Sequence, residues 1–261
     1  MPPIAATPDR LRNPEAAAPV GPGGNALMPL AVRGLSYSAG GKGILDAVSF
    51  QVRDAARTVV LGPNGAGKSV LLKLCHGLLR PASGGIRWGG RTPDETRRRQ
   101  GMVFQRPVLL RRSAAGNLLH SLAVRGVPRA DRAALVDEAL QAAGLTERAR
   151  QPARTLSGGE QQRLAIARAW VLKPDVLLLD EPSANLDPEA TRAIESLILG
   201  FAATGTRVIM TTHDIGQARR LADEVIFLHR GRLLEHSPAA RFFAGPADPA
   251  AARFIGGGLL A

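Results

Sequence analysis

The chain reads as an α/β fold built on a mostly parallel sheet, and three observations carry that expectation. Short apolar, strand-like runs alternate with helical patterns through the second half of the sequence, the order that yields parallel strands covered by helices on both faces. A β-branched run at 58–61 stops at the turn cluster Gly62-Pro63-Asn64-Gly65 and leads directly into a helical pattern. The 261 residues suffice to bury a large core, and the single cysteine, Cys75, excludes an intramolecular disulfide framework or a multi-cysteine zinc site.

From the start of the chain, residues 1–28 are rich in Pro, Ala and Gly and hold too few large apolar side chains to offset the entropy of ordering, so a disordered tail is expected. Strands are expected at 30–35, 44–52 and 58–61, and a helix at 69–79, with Cys75 on it as a small buried hydrophobe. The character then changes over 91–155, where thirteen arginines face six acidic residues, +7 of the chain's net +12. Helical patterns at 114–124 and 131–143 make this segment an inserted helical subdomain. A second α/β stretch follows: helix 158–172, strand 176–180, helix 188–203, strand 207–212, helix 215–222 and strand 224–229. A short helix near 240–243 brings the expected domain, 29–245, to its end, and 246–261 reads as a frayed tail.

Lys and Arg together number 34 against 22 acidic residues, and only Lys42, Lys68, Lys73 and Lys173 are lysines. So basic a chain suits nucleic acid, an anionic membrane surface or a polyanionic ligand, and charge alone selects none of these. No apolar run approaches the ~20 residues that a spanning helix needs. The N-terminus also lacks the basic start and apolar core of a signal peptide, so a cytosolic location is expected.

Gly62-Pro63-Asn64-Gly65-Ala66-Gly67-Lys68-Ser69 matches the phosphate-cradling pattern G-x-x-x-x-G-K-[ST] at every position. Composition alone would produce such a match roughly 0.004 times per chain. The glycines let backbone N–H groups and the following helix start converge on an anion, Lys68 reaches the β- and γ-phosphates, and Ser69 ligates magnesium. The polyanion expected is therefore a nucleotide triphosphate. Val176-Leu177-Leu178-Leu179-Asp180-Glu181 places two carboxylates at the carboxyl end of an apolar strand, where ligands of open α/β sheets bind. Asp180 suits Mg²⁺, directly or through water, and Glu181 suits a general base for the attacking water.

Between these two motifs stands Leu156-Ser157-Gly158-Gly159-Glu160-Gln161-Gln162-Arg163, which resembles the signature segment of the ATP-binding cassette family. Ser157 at an N-cap position and the two glycines would expose N–H groups at a helix start. The resemblance runs from about Leu30 to about Phe243 and implies a P-loop NTPase fold, with a mostly parallel core sheet, an antiparallel β subdomain and the helical insert. It also implies an ATPase that uses ATP and Mg²⁺. Ser157, Gly158 and Gly159 would then close on the γ-phosphate held by a second ATPase subunit, in a head-to-tail dimer. Gln105 resembles the glutamine that contacts magnesium and the attacking water and senses the transmembrane partner. His213 resembles the histidine that hydrogen-bonds the γ-phosphate. Ser183-Ala184-Asn185-Leu186-Asp187 resembles the segment that communicates between the two sites, with Asp187 its terminal carboxylate, and Asn185 departs from the small apolar residue often found there. Tyr37, the only tyrosine, stands where the family places a ring against adenine.

With no spanning segment in this chain, the resemblance implies a separate permease and a peripheral site on the cytoplasmic face of the cell membrane. The run Gln105-Arg106-Pro107-Val108-Leu109-Leu110-Arg111-Arg112-Ser113 resembles the segment of tungstate-type oxyanion importers, which favours import of tungstate, molybdate or phosphate, with a periplasmic solute-binding protein as an indirect partner. A lipid or lipoprotein exporter subunit stays open as the alternative. A nucleic-acid-associated ATPase of the same superfamily would need a long coiled coil or a second cassette, and neither pattern is present, so nucleic acid is not an expected partner.

Overall fold

The computed structural model of the protein describes residues 27–53 and 55–258. The expected tail at 1–28 therefore lies outside the described residues except for Leu27 and Met28, both of which are buried.

Two sheets organise the chain. Strands β1 (Leu30–Ala39), β2 (Lys42–Val52) and β4 (Ser83–Trp88) form an antiparallel sheet in the order β2-β1-β4. The second sheet runs β5-β6-β7-β3-β8-β9, from β5 (Gln100–Val103), β6 (Val176–Asp180), β7 (Arg207–Thr212), β3 (Arg57–Leu61), β8 (Glu224–His229) and β9 (Arg232–Pro238). All its pairings are parallel except β8 with β9. The expected mixed fold, with a mostly parallel sheet and an antiparallel one, is thus the observed one.

Alternation along the central strands divides the core. Leu177 and Leu179 of β6 face one cluster with Val208, Met210 and Phe227. The intervening Val176 and Leu178 face the other with Ile209 and Ile226. A strand apolar on both faces belongs in the middle of a covered sheet, and each such side chain contributes about 1.5–3 kcal/mol when fully buried. One face is covered by α1 (Lys68–His76) and the antiparallel sheet, the other by α3 (Ala114–Val124), α4 (Arg129–Ala142), α5 (Gly158–Trp170), α6 (Pro188–Ala203) and α7 (Ile215–Leu221).

Helix α1 ends at His76 and not at Leu79, because Gly77 takes a left-handed φ of 82° and the Leu78 N–H returns to Lys73 O at 2.9 Å. The helical insert also begins later than residue 91. Residues Pro93–Thr96 form α2, a single turn with a Thr92–Glu95 capping box, and β5 then enters the main sheet beside β6. Nine of the thirteen arginines and four of the six acidic residues remain in 104–155, so the insert carries +5 of the charge. Past α8 (Ala239–Ala244) the chain does not simply fray: α9 (Pro249–Ile255), capped by Asp248, buries Ala251 and brings Phe254 to 5.4 Å from Phe227, centroid to centroid.

Candidate active site

The carboxyl ends of β3, β6 and β7 converge on a cleft of about 910 Å³ whose walls include 64–70, Gln105, Glu181, Ala184, Asn185 and His213. The loop after β3 is shaped by close backbone approach. Gly62 has φ 156°, and a Cβ there would stand 2.1 Å from Leu228 O. Gly67, at φ 100°, is the N-cap of α1, which no side chain caps and whose first turn holds no acid. An uncapped helix start presents N–H groups and partial positive charge to the cleft.

Lys68 is buried, with Nζ donating to Gly62 O at 2.8 Å and Pro63 O at 3.1 Å and standing 3.2 Å from Glu181 Oε1. Burial pushes its ammonium below the ordinary value, while the Glu181 and Asp180 carboxylates act in the opposite direction. The other Glu181 oxygen, Oε2, lies 3.2 Å from His213 Nδ1. Glu181 has φ 43°, a left-handed conformation uncommon outside glycine, and its N–H donates to Thr211 Oγ1 at 2.9 Å. Asp180 Oδ1 accepts from Ser69 Oγ at 2.7 Å and from Thr211 Oγ1 at 2.8 Å.

The structure thus brings together Lys68, Ser69, Asp180, Glu181, Gln105 and His213. Tyr37 is not on the cleft wall: it sits half-buried on β1 opposite Leu45, and the wall on that side is Lys42, Gly43 and Ile44. Ser157, Gly158 and Gly159 start α5 away from the cleft. Ser157 is the N-cap, as expected, and is engaged in a capping box: Ser157 Oγ accepts from Glu160 N at 3.3 Å, and Glu160 Oε2 accepts from Ser157 N at 2.8 Å, bonds that do not involve the N–H groups of Gly158 and Gly159. Asp187 caps α6, accepting from Ala190 N at 2.8 Å.

Several site residues escaped the sequence reading. Thr211 reads there only as a β-branched strand residue, yet it ties the two carboxylate-bearing residues to β7. Lys42 and Arg230 add cations to the wall, with no motif to mark them. Asn185, a departure from the family pattern, has φ 62°, and asparagine tolerates that region better than a branched side chain.

The model of the family described as ABC transporter matches residues 45–184, more than half the chain. The chain belongs to the ABC transporter family. This ABC transporter ATPase domain is 38% identical over 257 residues to the phosphate import ATP-binding protein PstB 2 of Natronomonas pharaonis, covering 91% of this chain and 90% of that one. It is 38% identical over 209 residues to the tungstate uptake system ATP-binding protein TupC of Peptoclostridium acidaminophilum, covering 80% and 98%. Among solved structures, cbiO1 of Clostridium perfringens, part of the ABC transporter complex cbiONQ, superposes with a TM-score of 0.76 at 30% identity, covering 82% of this chain and 90% of that one. Among the described residues, no helix of the ABC domain is long and apolar enough to cross a membrane.

Proposed function

We propose that this chain is the ATP-hydrolysing subunit of an importer for an oxyanion such as tungstate, molybdate or phosphate, working beneath a separate permease. The observation that carries the enzymatic reading is the pair of opposed carboxylates: Asp180 joined to Ser69, and Glu181 placed between Lys68 and His213. The cleft volume lies within the range of small-molecule sites. The loop N–H groups and Lys68 suit the triphosphate, and the base would lie toward the strand pair carrying Tyr37 and Ile44.

Ser69 and Asp180 supply hard oxygen donors, and no cluster of three or more His, Cys, Asp or Glu among the described residues could hold a metal ion. That fits Mg²⁺, which is commonly held by one or two protein groups together with phosphates and waters. A bound Mg²⁺ there would neutralise charge developing on the phosphates. Glu181 would take a proton from the attacking water, with Gln105 and His213 orienting water and γ-phosphate. Ser157, Gly158 and Gly159 would complete the site of a second copy in a head-to-tail homodimer, with Asp187 near the shared boundary. The subunit would then be peripheral, on the cytoplasmic face of the membrane, and would meet a solute-binding protein only through the permease. The phosphate and tungstate importers among its relatives, and the 105–113 run, support the oxyanion.

Replacing Glu181 with Gln tests the enzymatic core. Steady-state hydrolysis should fall by about 10²- to 10⁴-fold while ATP remains bound. Hydrolysis at the parent rate would overturn the assignment of the base. The solute is tested by purifying the chain with its permease and measuring which of tungstate, molybdate, phosphate or methionine, each with its binding protein, stimulates ATPase activity; stimulation by methionine alone would overturn the oxyanion reading.

A further inference from the structure

Gln217 is 1% exposed on the short helix α7, whose buried face is otherwise apolar at Ala218 and Leu221. A buried amide costs stability unless its hydrogens are donated. Both acceptors it finds lie on other elements. Gln217 Nε2 donates to Ser183 Oγ at 2.7 Å and to Glu195 Oε1 on α6 at 3.3 Å. Glu195 is itself fixed by the Arg220 fork, with Nε donating to Oε2 at 2.8 Å and Nη2 to Oε1 at 2.7 Å. The Gln217 backbone N–H donates to Asp214 Oδ1 at 2.8 Å, beside His213. The Gln217 side chain therefore ties α7 to helix α6 and to the turn after β6, while its backbone N–H closes the Asp214 cap beside the end of β7.

That turn needs tying. Ser183 lies between Glu181 at φ 43° and Asn185 at φ 62°, two non-glycine residues in the left-handed region only four positions apart. Such conformations cost of order 1–3 kcal/mol each and persist where surrounding structure overdetermines them. The turn's own bonds are few: Ala184 N to Glu181 O at 3.1 Å and Leu186 N to Ser183 O at 3.3 Å. Between Glu181 and Ser183 stands Pro182, whose ring fixes φ and makes the link stiff. A displacement of Ser183 therefore meets one rotatable bond fewer before it reaches Glu181.

We infer that Gln217 is a positioning residue for hydrolysis: through Ser183 it holds the 181–185 turn so that the Glu181 carboxylate stands between Lys68 and His213. The inference rests on the proposed role of Glu181. It separates binding from turnover, because nucleotide is held by the 62–69 loop, which Gln217 does not touch, whereas the rate depends on where Glu181 stands.

The experiment measures ATP hydrolysis by the full chain as parent, Glu181→Gln, Gln217→Met, Ser183→Ala and the Gln217→Met/Ser183→Ala double variant. Methionine keeps length and volume and removes the donors. Each single variant should lower kcat about tenfold or more with KM for ATP within about twofold of parent, since small misplacements of reacting groups are costly. The double variant should be no worse than the poorer single one, because both break the same bond. If Gln217→Met does not fold, the half-buried Ser183→Ala decides alone. A parent-like kcat for Ser183→Ala, a rise in KM matching the fall in kcat, or losses that multiply in the double variant would overturn the positioning role. A parent chain without ATPase activity that Glu181→Gln removes would instead sink the enzymatic reading, and this inference with it.

Discussion

The helix starts at Lys68 and at Gly158 draw on the same ingredients, small residues and a serine, and finish in opposite states. At α1 the N-cap is Gly67, no side chain satisfies the first-turn donors, and Ser69 points instead to Asp180 across the cleft. At α5 the serine is the N-cap itself, locked to Glu160 in a reciprocal box. A helix start left open accepts an anion from outside; one closed by its own carboxylate has already met part of that demand. The difference lies in which donors are taken: α1 has none of its first-turn donors capped by a side chain, whereas the α5 box takes the N–H groups of Ser157 and Glu160 and not those of Gly158 and Gly159. The box depends on an acid three residues after the cap: Glu160 stands there after Ser157, whereas Val70 stands three residues after Gly67.

Removing Lys68 should produce the larger break in this comparison. In the Lys68→Ala chain the open start loses its only buried ammonium, and a hydrogen bond to a charged group contributes about 1.5–3 kcal/mol. The Kd for ATP, followed by equilibrium titration, should rise by about 10- to 150-fold. An affinity within twofold of parent would mean that the backbone cradle alone holds the phosphates. At the closed start, Ser157→Ala removes the cap, which typically costs about 1 kcal/mol or about 2–4 °C in Tm for a chain of this size. The ATP affinity of the dilute single chain should stay at the parent value while hydrolysis, which needs two copies on the proposed mechanism, falls. A loss of single-chain affinity would place the α5 start at its own chain's nucleotide.

Much of this contrast was legible in the residues, and the remainder was not for identifiable reasons. The β-branched run of β3, the glycine loop and the apolar β6 announced themselves because their signals are local and dense. Strand β5, Gln100-Gly-Met-Val, is four residues long and follows three arginines, so nothing in its own composition separates it from the helical insert; only pairing with β6 makes it a strand. Strand β4 begins Ser-Gly-Gly, which reads as a turn, and β9 carries Glu235 and His236 where a core strand would be apolar. At the site, the motif residues were found by spacing, whereas Thr211, Gln217 and Arg230 owe their places to neighbours more than thirty positions away or to the wall of the cleft. Asn185 departs from the family pattern in sequence, and its φ of 62° is the physical reason for an asparagine there.

The smallest effect concerns the charge on Glu160. The backbone N–H of Ser157 holds this carboxyl below its ordinary value of 4.5, against a smaller desolvation effect, with the Ser157 hydroxyl and Arg148 adding to the lowering. A group whose folded value is depressed contributes stability that is present above the unfolded value and disappears as pH falls through the folded one. Glutamine at this position still accepts the Ser157 N–H, so Glu160→Gln removes the charge and leaves the box. At pH 7 the variant should melt lower than the parent by about 1 °C, the size expected for a screened charge at a helix start. The gap should narrow as the pH falls from 5, the direction that a depressed carboxyl requires. A gap unchanged over that descent would show that geometry and not charge closes the α5 start. A gap that widened would reverse the sign of the interaction and make the two helix starts alike in their preference for an outside anion.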